Sequence, residues 1–127
     1  MSFGFGVSDF LTLGQFCWTI WKRCKDASED FKNLSSEVAS FHIVLKETEE
    51  LLSKQTPSLE QEARLEVLKK GSENVLEDLD KLLVKYESLA TTSQRTWDRM
   101  GFGNQDITAL RSRLISQTTL LDAFNNV

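Results

Sequence analysis

The sequence is poor in residues that interrupt regular structure, since its 127 residues include one proline and six glycines. So few turn-forming residues argue against collagen-like, low-complexity and many-turned β architectures. The hydrophobic fraction of 40% is too high for a wholly disordered chain. A chain of this length is expected to form one compact domain that buries about two-thirds of its unfolded surface.

Positive charge is also scarce, because fifteen lysines and arginines face nineteen acids and the formal net charge is −4. A nucleic-acid binder needs a basic face to neutralise phosphates, so nucleic acid is excluded as a partner. The charge is uneven: residues 47–87 carry eleven acids and six bases, whereas residues 1–46 are neutral. The acidity is therefore concentrated in the middle of the chain.

The two cysteines, Cys17 and Cys24, are too far apart to bridge each other on one helix. Seven residues place their Cα atoms ~10 Å apart, whereas a disulfide needs roughly 7 Å or less. Free thiols indicate a reducing compartment. No basic region precedes the apolar stretch of residues 3–21, as a signal peptide requires, and Asp9 makes that stretch a poor membrane span. We therefore expect a soluble, cytoplasmic protein.

The start of the chain is predicted to form an apolar helix. Residues 1–6 read as a flexible lead because of their glycines. Ser8 or Asp9 is the expected cap of a first helix over residues 8–24. Apolar residues cover nearly the whole circumference of this helix, as in a helix that is central in a bundle or meets lipid.

Apolar residues that alternate at spacings of three and four predict the other helices. A second helix is expected over residues 28–54 and a third over 58–90, with Pro57 in the first turn of the third. Residues 94–100 are expected to form a short helical turn before a last helix over residues 105–125. The chain thus predicts a single domain, residues 1–127, with an all-α antiparallel four-helix bundle.

The predicted core seams follow from the same spacing. Gly71 inside the third helix weakens it locally by ~1 kcal/mol. The seam residues are Phe31, Leu34, Val38, Phe41, Leu45, Thr48 and Leu52 in the second helix, Leu65, Leu68, Ser72, Val75, Leu79, Leu82, Tyr86 and Leu89 in the third, and Ile107, Leu110, Leu114, Thr118, Leu121 and Phe124 in the last.

No group of residues suggests catalysis. His42, the only histidine, has no Cys, Asp or His three or four positions away, so it is a poor metal ligand. Cys17 and Cys24 lie in an apolar helix, where thiols tend to be inert. The glycine-rich segments lack a following Lys-Ser/Thr and a preceding strand, so they form no phosphate loop. We predict no enzyme activity and no catalytic, cofactor-binding or metal-binding residues.

The third helix carries a candidate docking face for an Arg-rich partner surface, because the acidity of the chain is highest there. The alternative is an ordinary solvated helix face. The centre of the predicted acidic face consists of Glu73, Glu77, Asp78 and Asp80.

The first helix has the opposite character, since six aromatic residues with a single charge among them precede a basic cluster. This order suits a segment that binds or enters a membrane interface. The alternative is that it is simply the most buried helix of the bundle, and both hold if the helix is released on activation. The membrane-contact candidates are Phe3, Phe5, Val7, Phe10, Leu11, Leu13, Phe16, Trp18, Trp21, Lys22, Arg23 and Lys25.

Several segments resemble the N-terminal helical domain of fungal NLR-like and STAND proteins, and the likeness covers essentially the whole chain with the segments in the same order. These segments are Gly4-Phe5-Gly6-Val7-Ser8-Asp9-Phe10, Trp21-Lys22, Cys24-Lys25-Asp26-Ala27, Phe31-Lys32-Asn33-Leu34-Ser35-Ser36-Glu37-Val38, Leu45-Lys46-Glu47-Thr48-Glu49-Glu50, Val75-Leu76-Glu77-Asp78-Leu79, Lys85-Tyr86 and Arg95-Thr96-Trp97-Asp98-Arg99-Met100. By this resemblance the domain is similar to HeLo-like helical bundles and to the Rx-type coiled-coil domains of plant immune receptors.

The resemblance implies a non-enzymatic cell-death module of innate immunity or heterokaryon incompatibility. Such four-helix bundles oligomerise after receptor activation, and several permeabilise membranes through their first helix. Residues 75–80 look like the acidic third-helix motif by which plant relatives contact basic residues of their own receptor. The implied partners are further copies of the chain, downstream receptor domains if the chain is part of a longer one, and anionic lipids of the plasma membrane. The alternative function is a helical interaction adaptor or regulatory domain without membrane activity.

Overall fold

A computed structural model describes residues 6–88 and 104–126 and confirms the all-α four-helix bundle. Its helices are α1 (Val7–Lys25), α2 (Glu29–Lys54), α3 (Leu59–Glu87) and α4 (Asn104–Asn125). Their bounds lie close to the predicted ones. The predicted short turn over residues 94–100, the lead up to residue 5 and seam residue Leu89 lie outside the described residues.

The starts of α1 and α3 differ from prediction because their caps differ. Gly6 is the N-cap of α1, and its N–H donates to the Asp9 Oδ2 atom at 3.1 Å, so the predicted caps Ser8 and Asp9 are wrong. Ser58 caps α3 through a reciprocal pair of hydrogen bonds with Gln61, a capping box. Pro57 therefore precedes the cap and is not in the first turn of α3.

Each helix packs on two neighbours: α1 and α4 both contact α2 and α3. The side chains of Arg23 and Glu87, near the C-terminal ends of α1 and α3, bind each other, so these adjacent helices are parallel. Thr48 and Asn125 likewise join the C-terminal ends of α2 and α4, which are also parallel. Consecutive helices run antiparallel, and the α2–α3 connection crosses the end of the bundle along a diagonal.

The core confirms the predicted seams of α2, α3 and α4, since nearly all of their described members are buried. Leu52 and Thr118 are only half-buried, whereas the buried residues Val44, Leu76 and Leu83 are additions to the predicted seams. Burial of each such aliphatic side chain contributes about 1.5–3 kcal/mol. The seams thus account for most of the apolar stabilisation of the bundle.

Gly71 of α3 lies directly against the side chain of Gln117 of α4. A Cβ atom at position 71 would lie 2.5 Å from Gln117 Nε2, closer than van der Waals contact allows. The glycine that weakens α3 locally therefore leaves room for the side chain of Gln117.

Candidate functional site

The exposed side of α1 carries a row of stacked aromatic and basic side chains. Trp18 is 44% exposed, and its ring stacks on that of Trp21 with centroids 4.6 Å apart. The ammonium of Lys25 lies 4.3 Å from the Trp21 ring centroid, within the range of a cation–π contact. Residues three and four apart share one face of a helix, which brings these groups together. We call Trp18, Trp21, Lys22 and Lys25 the aromatic–basic edge.

A groove of about 450 Å³ runs beside this edge, between α1 and α2. Leu11 and Trp18 line it from α1, and His42 and Lys46 line it from α2. Gly14 forms part of its floor, and no atom lies within 4 Å of where a Cβ would be. The absent side chain of Gly14 therefore contributes to the depth of the groove.

His42 faces α1 across this groove, with its ring centroid 5.2 Å from that of Trp18. Burial, and secondly the positive charge of Lys46, lower the pKa of His42 below its ordinary value of 6.5. The imidazole is therefore neutral near pH 7 and packs as an aromatic ring. In residues 6–88 and 104–126, no three His, Cys, Asp or Glu side chains lie close enough together to hold a metal ion.

Arg23, in the last turn of α1, is held by two acids of α3. Its Nε and Nη2 atoms donate to the two carboxylate oxygens of Glu87 at 3.0 and 2.9 Å, and Nη1 donates to Asp80. Asp80 and Glu87 lie two helical turns apart, so they flank the guanidinium along α3. The hydrogen bonds that Arg23 donates to Glu87 are the main reason that the pKa of Arg23 is raised further above its usual range. We call these three residues the Arg23 clasp.

The predicted acidic face of α3 is divided between two sides of the helix. Asp80 belongs to the Arg23 clasp, and Asp78 accepts a hydrogen bond from Arg113 of α4 at 2.8 Å. Glu73 and Glu77 lie on the same side as Asp80, which faces α1, and line a second groove of about 230 Å³ between α1 and α3. Two of the four predicted docking acids are thus paired within the bundle.

The twelve predicted membrane-contact residues fall into distinct environments. Phe10 and Leu13 lie in the core, Val7, Phe16 and Trp21 are half-buried, and Arg23 is in its clasp. Leu11, Trp18, Lys22 and Lys25 are exposed. Phe3 and Phe5 lie outside the described residues. Among the helices of the described ranges, none is long and apolar enough to cross a membrane.

Both cysteines are free thiols with no exposed surface. Burial raises the pKa of Cys17 to about 12, and the nearby Cys24 adds to the shift. Burial likewise raises the pKa of Cys24 to about 12. Because the thiolate is the reactive form, both groups are unreactive while the bundle stays closed.

The sequence offers little signal for the contacts that define this region. Asp80 and Glu87 stand 57 and 64 positions from Arg23, and which helices neighbour each other decides their pairing. The contact of His42 with Trp18 likewise depends on α1 and α2 being neighbours in the bundle. A regular seven-residue spacing places the two acids on one face of α3, but it does not name their partner.

Comparison of the chain with family models, with curated proteins and with solved structures gives no match. Any functional assignment therefore depends on the residues and their arrangement.

Proposed function

We propose that the chain is the N-terminal signalling module of a fungal NLR-like receptor, non-enzymatic and of the cell-death type. In this proposal the bundle is closed at rest and cytoplasmic. On activation it oligomerises, is recruited to the plasma membrane and binds anionic lipid through α1. The observation that carries the proposal is the exposed aromatic–basic edge on a helix whose other side is apolar.

The aromatic–basic edge has the composition of an interfacial binding surface. Tryptophan rings settle at the headgroup level of a bilayer, where an apolar body and a polar N–H are both accommodated. A basic residue near an anionic leaflet contributes about 1 kcal/mol. Lys22 and Lys25 are exposed, and Lys25 lies over Trp21, on which Trp18 stacks, so the two lysines and Trp18 can reach the same membrane surface.

Deeper association requires α1 to leave the bundle. Phe10, Leu13 and Ile20 point into the core and are at most 4% exposed, so lipid cannot reach them in the closed state. Exposure of these side chains to water on release would cost about 1.5–3 kcal/mol each, and burial in the membrane would offset that cost. The proposal therefore has two steps: the edge docks first, and activation then exchanges the core for lipid.

Vesicle binding tests the first step. We expect the protein to co-sediment with vesicles that contain phosphatidylserine and not with neutral vesicles. Lys22→Glu with Lys25→Glu should abolish this binding because two attractive charges become repulsive. The matched control is Lys32→Glu with Lys54→Glu, which makes the same charge change at exposed positions of α2. Equal loss in both variants, or no binding by the wild type, would contradict the proposal.

The acidic groove between α1 and α3 supports a second candidate, an interaction adaptor without membrane activity. Glu73 and Glu77 line this groove together with Asp9 and Lys69, above the half-buried ring of Phe16. A partner with basic and apolar residues would match this lining. This adaptor predicts that Glu73→Lys with Glu77→Lys abolishes partner binding, measured by calorimetry against the receptor domains. It also predicts that vesicle binding is absent in every variant.

A further inference from the structure

Arg23 belongs to the basic cluster at the end of α1, to which the proposed function assigns membrane binding. In the Arg23 clasp its side chain is bound by Asp80 and Glu87 instead. Lys22, Arg23 and Lys25 are close in sequence, yet only the side chain of Arg23 turns to α3. Its Nε, Nη1 and Nη2 atoms all donate to carboxylates there. These donors include the Nε–Nη2 fork, which Glu87 fills, so no further bidentate partner can take that fork in this state.

A carboxylate and a lipid phosphate are equivalent partners for such a group. Both present two oxygens that match the fork of a guanidinium, and both form short charge-assisted hydrogen bonds. The acids of α3 therefore occupy the position that the phosphate of an anionic lipid would take. A phosphate can take the Nε–Nη2 fork only after Glu87 has left it, so the two partners compete for the same pair of donors.

We propose that the Arg23 clasp is an autoinhibitory contact, in which Asp80 and Glu87 stand in for lipid phosphate and keep α1 on α3 until an anionic membrane competes for Arg23. This inference rests on the proposed function and adds a means by which membrane binding through α1 is regulated. The clasp closes the C-terminal end of the α1–α3 contact, and at the other end Asp9 and Lys69 approach only to 3.8 Å. Release of Arg23 thus removes the three hydrogen bonds that link the two helices at this end.

The clasp is exposed enough to be opened. The side chains of Arg23, Asp80 and Glu87 are 24%, 35% and 44% accessible, so water and a membrane surface can both reach them. Ion pairs in such positions are weak and screened by salt. The clasp can therefore act as a switch, because the negative charge of a nearby membrane is enough to open it.

Neutral isosteres of the two acids test the competition. Asp80→Asn with Glu87→Gln removes the charges that compete for Arg23 and keeps the shapes of the side chains. The matched control is Glu37→Gln with Glu50→Gln on α2, which removes the same charge and also breaks an interhelical ion pair, that of Glu37 with Arg111. Binding to phosphatidylserine vesicles is measured by co-sedimentation, and hydrogen exchange of the last turns of α1 is measured without lipid.

A second pair of variants separates the charge of Arg23 from its geometry. Arg23→Lys keeps the positive charge but loses the bidentate fork, so it weakens the clasp and retains the attraction to lipid. Arg23→Gln opens the clasp and also loses the charge. We therefore expect Arg23→Lys to bind vesicles more strongly than the wild type, and Arg23→Gln to bind less strongly than Arg23→Lys.

The proposal predicts that the clasp variant binds vesicles up to about fivefold more tightly than its control, a change of about 1 kcal/mol. Exchange at the end of α1 should also be faster in the clasp variant than in the control. Equal binding by the two charge-matched variants would overturn the autoinhibitory role and leave the proposed membrane function intact. Faster exchange with no vesicle binding in any variant would overturn both, because the function on which the clasp acts would then be absent.

Discussion

The two contacts that hold α1 in the bundle differ in kind. Toward α2 the contact is extensive and chiefly apolar, with the Cys17 thiol against the Val38 carbonyl and Trp18 against His42. Toward α3 the contact is smaller, and ion pairs lie at both of its ends with an open polar groove between them. Apolar burial is insensitive to salt, whereas exposed ion pairs are screened. The α1–α2 hairpin should therefore persist under conditions that loosen α1 from α3.

The largest expected effect comes from the apolar side of α1. Phe10→Ala should lower the free energy of unfolding by about 3–5 kcal/mol, because Phe10 is fully buried and the cavity cannot collapse completely. Urea denaturation at 50 mM and 1 M NaCl should give the same loss. A loss that shrinks strongly with salt would mean that the apolar contact is not the main one.

The α1–α3 contact, by contrast, should weaken as the salt concentration rises. Arg23→Ala should lower the free energy of unfolding by about 1 kcal/mol or less at low salt, since the three charged groups are partly exposed. At 1 M NaCl the difference from the wild type should nearly vanish. Arg113→Ala, which removes a single ion pair between α4 and α3, is the control and should have a smaller effect. An undiminished loss at high salt would show that packing of the arginine stem dominates.

The sequence predicts the fold well because the core seams of α2, α3 and α4 are encoded by local spacing, as Leu65 and Leu79 illustrate. It predicts α1 less well, since apolar residues on both sides of a helix leave its inner face undetermined. Leu11 and Trp18 face outward, although they are as apolar as their buried neighbours. The position of the neighbouring helices decides which side of α1 faces the core, and local periodicity contains no information about that position.

In the candidate site, too, local sequence predicts some features, and the packing of neighbouring helices decides the others. The order of aromatic residues before basic ones is visible in the sequence, and it identifies the segment that forms the aromatic–basic edge. The sequence does not reveal that Arg23, unlike Lys22, turns to α3, or that Asp78 and Asp80 are paired with arginines. Parallel packing of α1 beside α3, which follows from the diagonal α2–α3 connection, produces the contacts of Arg23. Packing of α4 on α3 produces the contact of Asp78 with Arg113.

The two cysteines can report which contact opens. Cys24 is adjacent to the Arg23 clasp, and the charge of Glu87 contributes to its raised pKa, whereas Cys17 faces α2 at Val38. In Arg23→Ala, alkylation of Cys24 should accelerate by up to about fivefold, the factor that corresponds to 1 kcal/mol. Alkylation of Cys17 should change little. Mass spectrometry of the labelled peptides resolves the two sites, and equal acceleration at both would mean that α1 leaves α2 and α3 together.

The smallest expected effect is a dependence on pH at the α1–α2 contact, through His42. Because burial and Lys46 lower its pKa in the folded state, the unfolded chain binds a proton more readily. The resulting contribution to stability is present above the ordinary histidine pKa of 6.5 and is lost as the pH falls through the lower folded value. Trp18→Ala uncovers the ring, so it should raise the pKa of His42 toward the ordinary value in an NMR titration. Arg23→Ala should leave that titration unchanged. If Arg23→Ala shifted the pKa of His42 as much as Trp18→Ala does, the two contacts of α1 would be coupled, and opening the clasp would also loosen the α1–α2 hairpin.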